Sequence, residues 1–181
     1  MQDIAKEVVA KAQTGDAGSF RVIYEETSGF VYNVALRIVK RRQDAEEVCQ
    51  EVYLNIYRNL KSFHFKSSFK TWAYRIAVNA AINHLKKMSR EESRRSEFNE
   101  ELNYSADLSV QKGALSEKEE QAARVNLLLD VLNPEQKACV VLRNLEGLSY
   151  REIAEALQIN INTVRSRLKR AREKLLALKG G

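Results

Sequence analysis

Positively charged side chains are concentrated near the carboxyl end of the chain at a spacing that suits DNA binding. A helix over residues 163–178 places its apolar residues in one stripe, Val164, Leu168, Ala171 and Leu175. Its other faces carry polar side chains, namely Arg165, Ser166, Lys169, Arg170, Arg172 and Glu173. Arginine offers paired donors that match guanine, and serine bonds to several bases. The pattern predicts a helix that reads the major groove, and the alternative is a solvated basic helix end.

A second polar stripe lies on a predicted helix over residues 69–88. At 100° per residue, one narrow face carries Trp72, Arg75, Asn79, Asn83 and Lys86. Amides bond to unpaired base edges, an aromatic ring stacks on bases, and cations offset the phosphate charge. The preceding segment 63–70 mixes aromatic residues with lysines, which predicts a loop that grips a splayed base. The alternative reading of the tryptophan is a partly buried core residue.

The segment 44–61 predicts a surface for a protein partner. The first turns of this segment are acidic, and negative charge is favourable at the amino end of a helix. The alternative interpretation is therefore a solvated helix start that binds no partner. Tyr53, Leu54 and Tyr57 follow, and the segment is apolar on most sides. One side can therefore pack in a domain core while another contacts a partner helix.

Arrangements typical of enzymes are missing from the sequence. It has no GxSxG, P-loop or HExxH pattern, and neither His64 nor His84 has a plausible nucleophile as a partner. Cys49 and Cys139 lie in apolar helical contexts without a CxxC or Cys/His neighbour, which indicates small buried hydrophobes. We therefore expect no catalytic residues, no metal and no cofactor.

Helices must position all of these side chains. The apolar spacing predicts helices over about 3–14, 18–40, 44–61 and 69–88, with Asp44 as the N-cap of the third. Residues 89–116 are rich in Ser, Asn and Glu with few apolar anchors. They predict a flexible acidic linker, and a loosely helical surface segment is the alternative.

Helical spacing returns from residue 117. Asn133 and Pro134 predict a helix start and Gly147 its end, while Ser149 and Glu152 form a capping box for the next helix. A tight turn over 158–162 then leads to the basic helix. The last two helices match a helix-turn-helix in length and pattern. The predicted fold class is all-α, with domains at 1–88 and 117–181.

The charge distribution is typical of two nucleic-acid-binding modules that are joined by one linker. The chain has 181 residues, one proline and a formal net charge of +6. That charge is distributed as +6 over residues 1–95, −5 over 96–120 and +5 over 121–181. Two basic blocks therefore flank an acidic strip. No signal-peptide pattern and no apolar run of about 20 residues occurs, which predicts a cytoplasmic protein without membrane insertion.

Three stretches together resemble the sigma-70 family, in its extracytoplasmic-function (ECF) group. Residues 44–53 (DAEEVCQEVY) resemble the family's stretch that binds core RNA polymerase, and residues 69–79 (FKTWAYRIAVN) resemble its −10-reading helix. Residues 148–154 (LSYREIA) with 163–168 (TVRSRL) and 170–172 (RAR) resemble its −35-reading helix-turn-helix. The three lie in the family's order and spacing, and cover nearly the whole chain outside the linker.

The resemblance implies a sigma factor with a region 2, a linker and a region 4, and no enzymatic activity. It implies polymerase contacts at Glu47, Val48, Gln50, Glu51, Tyr53, Leu54 and Tyr57. It implies −10 contacts at Phe65, Lys70, Trp72, Arg75, Asn79 and Asn83. It implies −35 contacts at Tyr150, Thr163, Arg165, Ser166, Arg167, Lys169 and Arg170. The implied partners are promoter DNA, the clamp helices and flap of core RNA polymerase, and an anti-sigma factor.

The sequence departs from the family pattern at two places. The turn at 158–162 lacks the usual Gly and Pro, and Lys169 stands where an apolar or aromatic residue is common. A stand-alone helix-turn-helix regulator remains the main alternative, because it also explains residues 149–178. A small helical enzyme and an anti-sigma or adaptor protein are further alternatives; the first lacks a nucleophile–base set, and the second does not require the asparagine–tryptophan stripe.

Overall fold

The computed structural model of the chain describes residues 3–98, 125 and 127–178, and every regular element within them is a helix. The amino-terminal domain contains α1 (Lys6–Gln13), α2 (Ala17–Val39), α3 (Arg42–Asn59), a 3-10 turn (Leu60–Ser62) and α4 (Phe69–Phe98). The carboxyl-terminal domain contains α5 (Pro134–Val140), a π-helical turn (Val141–Leu145), α6 (Tyr150–Leu157) and α7 (Ile161–Ala177). The predicted all-α fold with two helical domains is confirmed.

The amino-terminal domain is a bundle in which α2, α3 and α4 pack around one apolar core. The core residues recur at intervals of three and four, so each helix turns one face inward. Fully buried members are Val31, Val34, Val48, Val52, Ala77 and Val78. Burial of each valine side chain stabilises the fold by about 1.5–3 kcal/mol.

The amino ends of α2 and α3 are capped differently. Asp16 caps α2 by accepting a hydrogen bond of 2.7 Å from the amide of Ser19, and the Ser19 side chain together with this amide lowers the pKa of the Asp16 carboxyl. The prediction that Asp44 caps α3 is wrong, because the helix begins at Arg42 with Arg41 as its N-cap. Asp44 lies in the first turn instead, with its Oδ1 atom 3.7 Å from Nε2 of His84 on α4.

Helix α4 is longer than the apolar spacing predicts. It continues from residue 88 to Phe98, so the first part of the predicted linker is helical. Glutamate and arginine are good helix formers and need no apolar stripe to stay helical in the last turns. Here the hydroxyl of Ser93 donates to the carbonyl of Ser89 at 3.0 Å. The rest of the predicted linker, residues 99–116, lies outside the described residues.

Two capping boxes fix the carboxyl-terminal helices. The side chain of Asn133 accepts from the Gln136 amide at 2.8 Å, and the Ser149 hydroxyl accepts from the Glu152 amide at 3.3 Å. The bond back from the Ser149 amide to the Glu152 carboxylate is 2.7 Å, and the Ser149 side chain and this amide together lower the pKa of Glu152. Gly147 follows the π-helical turn at a φ of 74°, which glycine adopts without strain. The predicted starts at Pro134 and after Ser149 are confirmed.

The helix-turn-helix closes on a tight left-handed turn. Gln158 ends α6 at φ 52° and ψ 45°, and the amide of Ile159 bonds back to the carbonyl of Ala154 at 3.0 Å. Helix α7 then begins at Ile161, two residues before the predicted start, because Asn160 accepts from the Asn162 amide at 2.8 Å. Ile153, Ala156, Val164 and Ala171 are fully buried between the helices.

The two domains contact each other through polar side chains. The Tyr74 hydroxyl on α4 donates a hydrogen bond of 2.7 Å to Oε2 of Glu146, which follows the π-helical turn. The Lys40 ammonium at the end of α2 lies 2.8 Å from Oδ1 of Asp130. The same carboxylate oxygen is 3.7 Å from the ammonium of Lys137 on α5.

Candidate nucleic-acid interface

One face of α7 presents the predicted base-reading side chains to solvent. Arg165, Ser166, Lys169 and Arg170 are all exposed, while the residues of the opposite face are buried against α5 and α6. The sequence folds this way because apolar residues recur every three to four positions and leave the cations outside. The exposed face extends over about two turns of α7, which is long enough to lie along the major groove of DNA.

Local contacts pre-order these side chains without burying them. The Arg165 guanidinium donates to the Asn162 side-chain oxygen at 3.0 Å, and the Ser166 hydroxyl donates to the Thr163 carbonyl at 3.0 Å. Lys169 is 3.9 Å from the exposed Glu173 carboxylate. Exposed pairs of this kind contribute about 0–1 kcal/mol, so base edges can replace them at small cost.

Tyr150 and Arg167 lie on different sides of the basic helix. Tyr150 lines a groove of about 420 Å³ together with Arg165, Lys169 and Arg172, and the Arg143 guanidinium lies 5.3 Å from its ring centroid. Arg167 is half-buried beside Cys139 on α5. Burial raises the pKa of the Cys139 thiol, and the nearby Arg167 guanidinium opposes that rise. Arg167 therefore belongs to the flank of α7, as does the half-buried Thr163.

The polar stripe of α4 is graded in exposure. Asn79 and Asn83 are exposed, Arg75 is half-buried, and Trp72 is only 7% exposed. The indole packs against the rings of Phe63 and Phe69 at centroid distances of 5.1 and 5.4 Å. Its burial fits the alternative reading as a core residue, because the loop before α4 supplies aromatic partners. The two asparagines remain free to meet a base edge.

The loop before α4 encloses a cavity of about 320 Å³, the lower end of the range for small-molecule pockets. Phe65 forms part of its wall and has a φ of 54°, an uncommon value for a residue other than glycine. Asp3 and Lys6 also line this cavity, and Asp3 accepts a hydrogen bond of 3.2 Å from the Lys70 amide. Sequence reasoning missed both wall residues, because nothing in the sequence places residues 3–6 beside residues 65–69.

Lys70 lies between this cavity and the second domain. Its ammonium is 5.3 Å from the centroid of the Phe30 ring, a cation–π distance. Burial lowers the pKa of Lys70, and the carboxylates of Glu146, Asp3 and Glu26 oppose the shift. The side chain therefore stays near negative groups from both domains.

The predicted partner surface on α3 is partly exposed and partly core. Leu54 and Tyr57 are 53% and 66% exposed, whereas Val48 is fully buried and packs in the bundle. Val48 therefore supports the helix from inside and does not reach a partner. Glu47, Gln50 and Glu51 are exposed. Tyr53 is half-buried, its hydroxyl is 2.8 Å from Oγ1 of Thr27, and burial raises its pKa to about 12.

Helix α2 extends this surface with residues that the sequence did not single out. The ring of Tyr24 lies 4.7 Å from that of Tyr53, and Phe20 meets Tyr57 edge-on at 5.4 Å. Tyr24 is 49% exposed and Val22 is 40% exposed. The spacing of Phe20, Val22 and Tyr24 on α2 gives no signal of its own, because exposed and buried apolar residues alternate along that helix.

Metal and membrane sites are not found in the part of the chain that the structure describes. Within residues 3–98, 125 and 127–178, no group of three or more His, Cys, Asp or Glu side chains lies close enough to hold a metal ion. None of the described helices is both long enough and apolar enough to cross a membrane.

Two family matches cover most of the chain. Residues 23–91 match Sigma-70 region 2, and residues 122–175 match Sigma-70, region 4. The RNA polymerase sigma-H factor of Pseudomonas aeruginosa is 33% identical over 95% of this chain and 92% of its own length. The ECF RNA polymerase sigma-E factor of Haemophilus influenzae is 35% identical over 92% of this chain and 90% of its own length. The chain belongs to the sigma-70 family of RNA polymerase sigma factors, in its ECF group.

Solved structures share the fold. CnrH in complex with the cytosolic domain of CnrY superimposes with a TM-score of 0.69 and 22% identity, over 96% of this chain and 95% of that chain. The sigma factor RpoE of Bartonella quintana, in complex with the anti-sigma factor NepR, superimposes with a TM-score of 0.67 and 23% identity, over 89% of this chain and 96% of that chain. These likenesses establish the shared helical architecture.

Proposed function

We propose that this chain is the promoter-recognition subunit of a bacterial RNA polymerase, with α7 on duplex −35 DNA and α4 on the unpaired −10 strand. The observation that carries the proposal is the presence of two separate sets of exposed donors on one chain of the sigma-70 family. Arg165 and Ser166 lie on the helix-turn-helix, and Asn79 and Asn83 lie on α4. A protein that only binds duplex DNA does not need the second set.

The −35 contact follows from the shape of α7. Its second and third turns present Arg165, Ser166, Lys169 and Arg170 to solvent, and a bidentate arginine–guanine pair contributes about 1–3 kcal/mol of discrimination. Tyr150 at the start of α6 lies beside Arg165 and Lys169, where it can meet the DNA backbone. Arg167 acts from the flank through phosphate attraction, which is sensitive to salt.

The −10 contact uses the loop cavity and the asparagines together. An unpaired base entering the cavity would lie beside Phe65 and Asp3, and the next bases would reach Asn79 and Asn83 along α4. Taking a base out of the stack costs a few kcal/mol, which stacking and amide hydrogen bonds offset. Trp72 supports this site from beneath, and Lys70 and Arg75 supply charge for the backbone.

Core polymerase is proposed to dock on α3. The exposed Leu54 and Tyr57 are the apolar centre of this surface, and Glu47, Gln50 and Glu51 form its polar border. A helix face with an apolar centre and a polar rim is typical of protein interfaces. Tyr24 on the neighbouring helix widens the surface to two helices.

The remaining assignments rest on family membership. The chain is proposed to act without enzymatic activity of its own, in the cytoplasm where RNA polymerase works. An anti-sigma factor is a further proposed partner, because the solved relatives CnrH and RpoE are in complex with CnrY and NepR respectively.

Run-off transcription tests the proposal directly. Sigma-free bacterial core polymerase, this protein and a library of promoter fragments should give transcripts from a defined subset. Asn79→Ala and Arg165→Ala should each lose most of that signal, whereas Asn33→Ala and Lys11→Ala, exposed and outside the proposed contacts, should keep it. Footprints by the protein alone, with no core binding and no transcripts, would overturn the proposal in favour of a stand-alone regulator.

A further inference from the structure

We propose that Lys169 and Glu173 together read one guanine–cytosine base pair of the −35 element, with Lys169 on the guanine and Glu173 on the cytosine. The role of this pair rests on the proposed function of α7 on −35 DNA, to which it adds the identity of one base pair. Glu173 is not among the −35 contacts that the family resemblance implies, and Lys169 departs from the family pattern.

Four polar side chains form one row along the outward face of α7. They recur at intervals of three and four residues, at Asn162, Ser166, Lys169 and Glu173. All four are exposed. At about 100° per residue, the row spans about 60° of the helix surface and lies opposite the buried Val164 and Ala171. When the outward face of α7 enters a major groove, this row therefore meets the base edges.

The two charged members of the row already lie beside each other. Nζ of Lys169 is 3.9 Å from Oε1 of Glu173, and the two side chains are 79% and 60% exposed. In a guanine–cytosine pair, the O6 acceptor and the N4 donor are hydrogen-bonded to each other at about 3 Å. The Lys169 ammonium and the Glu173 carboxylate therefore have a separation close to that of the groups they would meet.

The base preference follows from the order of donors and acceptors in the major groove. Guanine presents two adjacent acceptors, N7 and O6, which suit the Lys169 ammonium, and cytosine presents the N4 donor, which suits the Glu173 carboxylate. In an adenine–thymine pair, the N6 donor separates the N7 and O4 acceptors, and a methyl group lies beside O4. The charge pair therefore favours guanine–cytosine.

Glu173 also disfavours phosphate at the centre of this face. The groove beside Tyr150 is lined by three cations, Arg165, Lys169 and Arg172. Among the described residues that line this groove, Glu173 carries the one carboxylate. A carboxylate repels phosphate, so it lowers affinity that depends on charge alone and favours binding only where a base donor reaches it. The pair therefore contributes selectivity more than affinity.

Binding of the full chain to duplexes with a randomised −35 element tests this reader, and sequencing of the bound fraction gives each base preference. The unaltered chain should select guanine–cytosine at one position. Lys169→Ala should reduce that preference about tenfold and leave the other positions unchanged. Glu173→Gln keeps the shape of the side chain and removes its charge, so it should reduce the same preference severalfold. The double variant should lose little more than Lys169→Ala alone, because both side chains act on one base pair.

Lys174→Ala is the matched control, because Lys174 is an exposed lysine of the same helix that lies outside the row. It should leave every base preference unchanged. An equal loss on all duplexes in Lys169→Ala, with a shallower salt dependence, would assign Lys169 to a phosphate and overturn the reader. An unchanged preference, or one lost at an adenine–thymine pair, overturns it too. Absence of any selectivity in the unaltered chain would overturn both the reader and the −35 role of α7, whereas run-off transcription tests the polymerase and −10 roles independently.

Discussion

The side-chain amide of Gln13 donates a hydrogen bond of 2.7 Å to the carbonyl oxygen of Phe63, fifty residues further along the chain. The same amide donates to the carbonyl of Leu60 at 2.9 Å. One side chain at the end of α1 therefore satisfies two carbonyls of the segment that leads into the −10 loop. The Phe63 ring in turn packs against Trp72. Helix α1 thus holds the loop in place through backbone contacts.

Gln13→Leu should loosen this loop. It leaves the Phe63 carbonyl without the Gln13 donor and the Leu60 carbonyl with only the Phe63 amide at 3.1 Å, and we expect a loss of about 1–3 kcal/mol in the free energy of unfolding. Affinity for a −10 single strand should fall severalfold, because the cavity loses its fixed wall. Urea unfolding and fluorescence anisotropy measure the two effects. Lys11→Ala, exposed on the same helix, is the control; equal stability of the two variants would refute the role of Gln13.

Leu54 and Ile56 are close in sequence but should respond oppositely to truncation. Leu54 is 53% exposed and Ile56 is fully buried. Leu54→Ala should weaken binding to core polymerase by about 1–3 kcal/mol while changing stability by no more than about 0.5 kcal/mol. Ile56→Ala should destabilise the domain by about 2–5 kcal/mol. Polymerase pull-down titrations and urea unfolding distinguish them, and normal core binding by Leu54→Ala would remove α3 from the interface.

Gln158→Gly should stabilise the helix-turn-helix. Gln158 adopts φ 52°, where a side chain is strained and glycine is not, so we expect a gain of up to about 1 kcal/mol in the free energy of unfolding. Gln43→Gly is the matched control, because Gln43 is an exposed helical residue of α3 and should lose about 0.5–1 kcal/mol. Thermal unfolding gives both values. Equal losses in the two variants would contradict the left-handed turn.

Stability should depend on Tyr53 at alkaline pH. Burial raises its pKa to about 12 in the folded chain, above about 10 for an exposed phenol. The folded state then keeps a proton that the unfolded state loses, so stability falls as pH rises from about 10 to about 12. Tyr53→Phe should reduce this fall in the free energy of unfolding between about pH 10 and pH 12. Thr27 still donates to the Ile23 carbonyl in that variant, at 2.6 Å.

Urea unfolding at several pH values between about 9 and 11.5 measures the Tyr53 effect. Cys49 serves as the comparison, because burial also raises its pKa to about 11. Cys49→Ser should therefore change the same curve at slightly lower pH. An unaltered slope in Tyr53→Phe would show that the phenol does not carry the dependence.

Local signals predicted several helix starts correctly, because capping depends on neighbouring residues. Ser149 and Glu152 bond to each other's amides as predicted, and Pro134 occupies the first helical position after Asn133. The polar stripe on α4 also followed from local spacing. Asn79 and Asn83 are exposed on it because their neighbours at intervals of three and four fill the core.

Features that depend on distant contacts were not predictable in the same way. Trp72 is buried because Phe63 and Phe69 cover it, and Asp3 reaches the Lys70 amide from the other end of the domain. Helix α4 continues beyond its apolar stripe, so the spacing of apolar residues does not predict its end at Phe98. The bond from Tyr74 to Glu146 spans 72 residues and gives no local signal.

The π-helical turn Val141–Leu145 has a consequence at the level of the gene. Its wide turn, with the Glu146 amide bonded to the Val141 carbonyl at 3.1 Å, holds one residue more than an α-helical turn. Removal of one residue, such as the exposed Asn144, would restore α-helical winding and keep the position of Glu146, because the extra residue is held within the wide turn itself. The contact with Tyr74 should therefore survive deletion of that single codon.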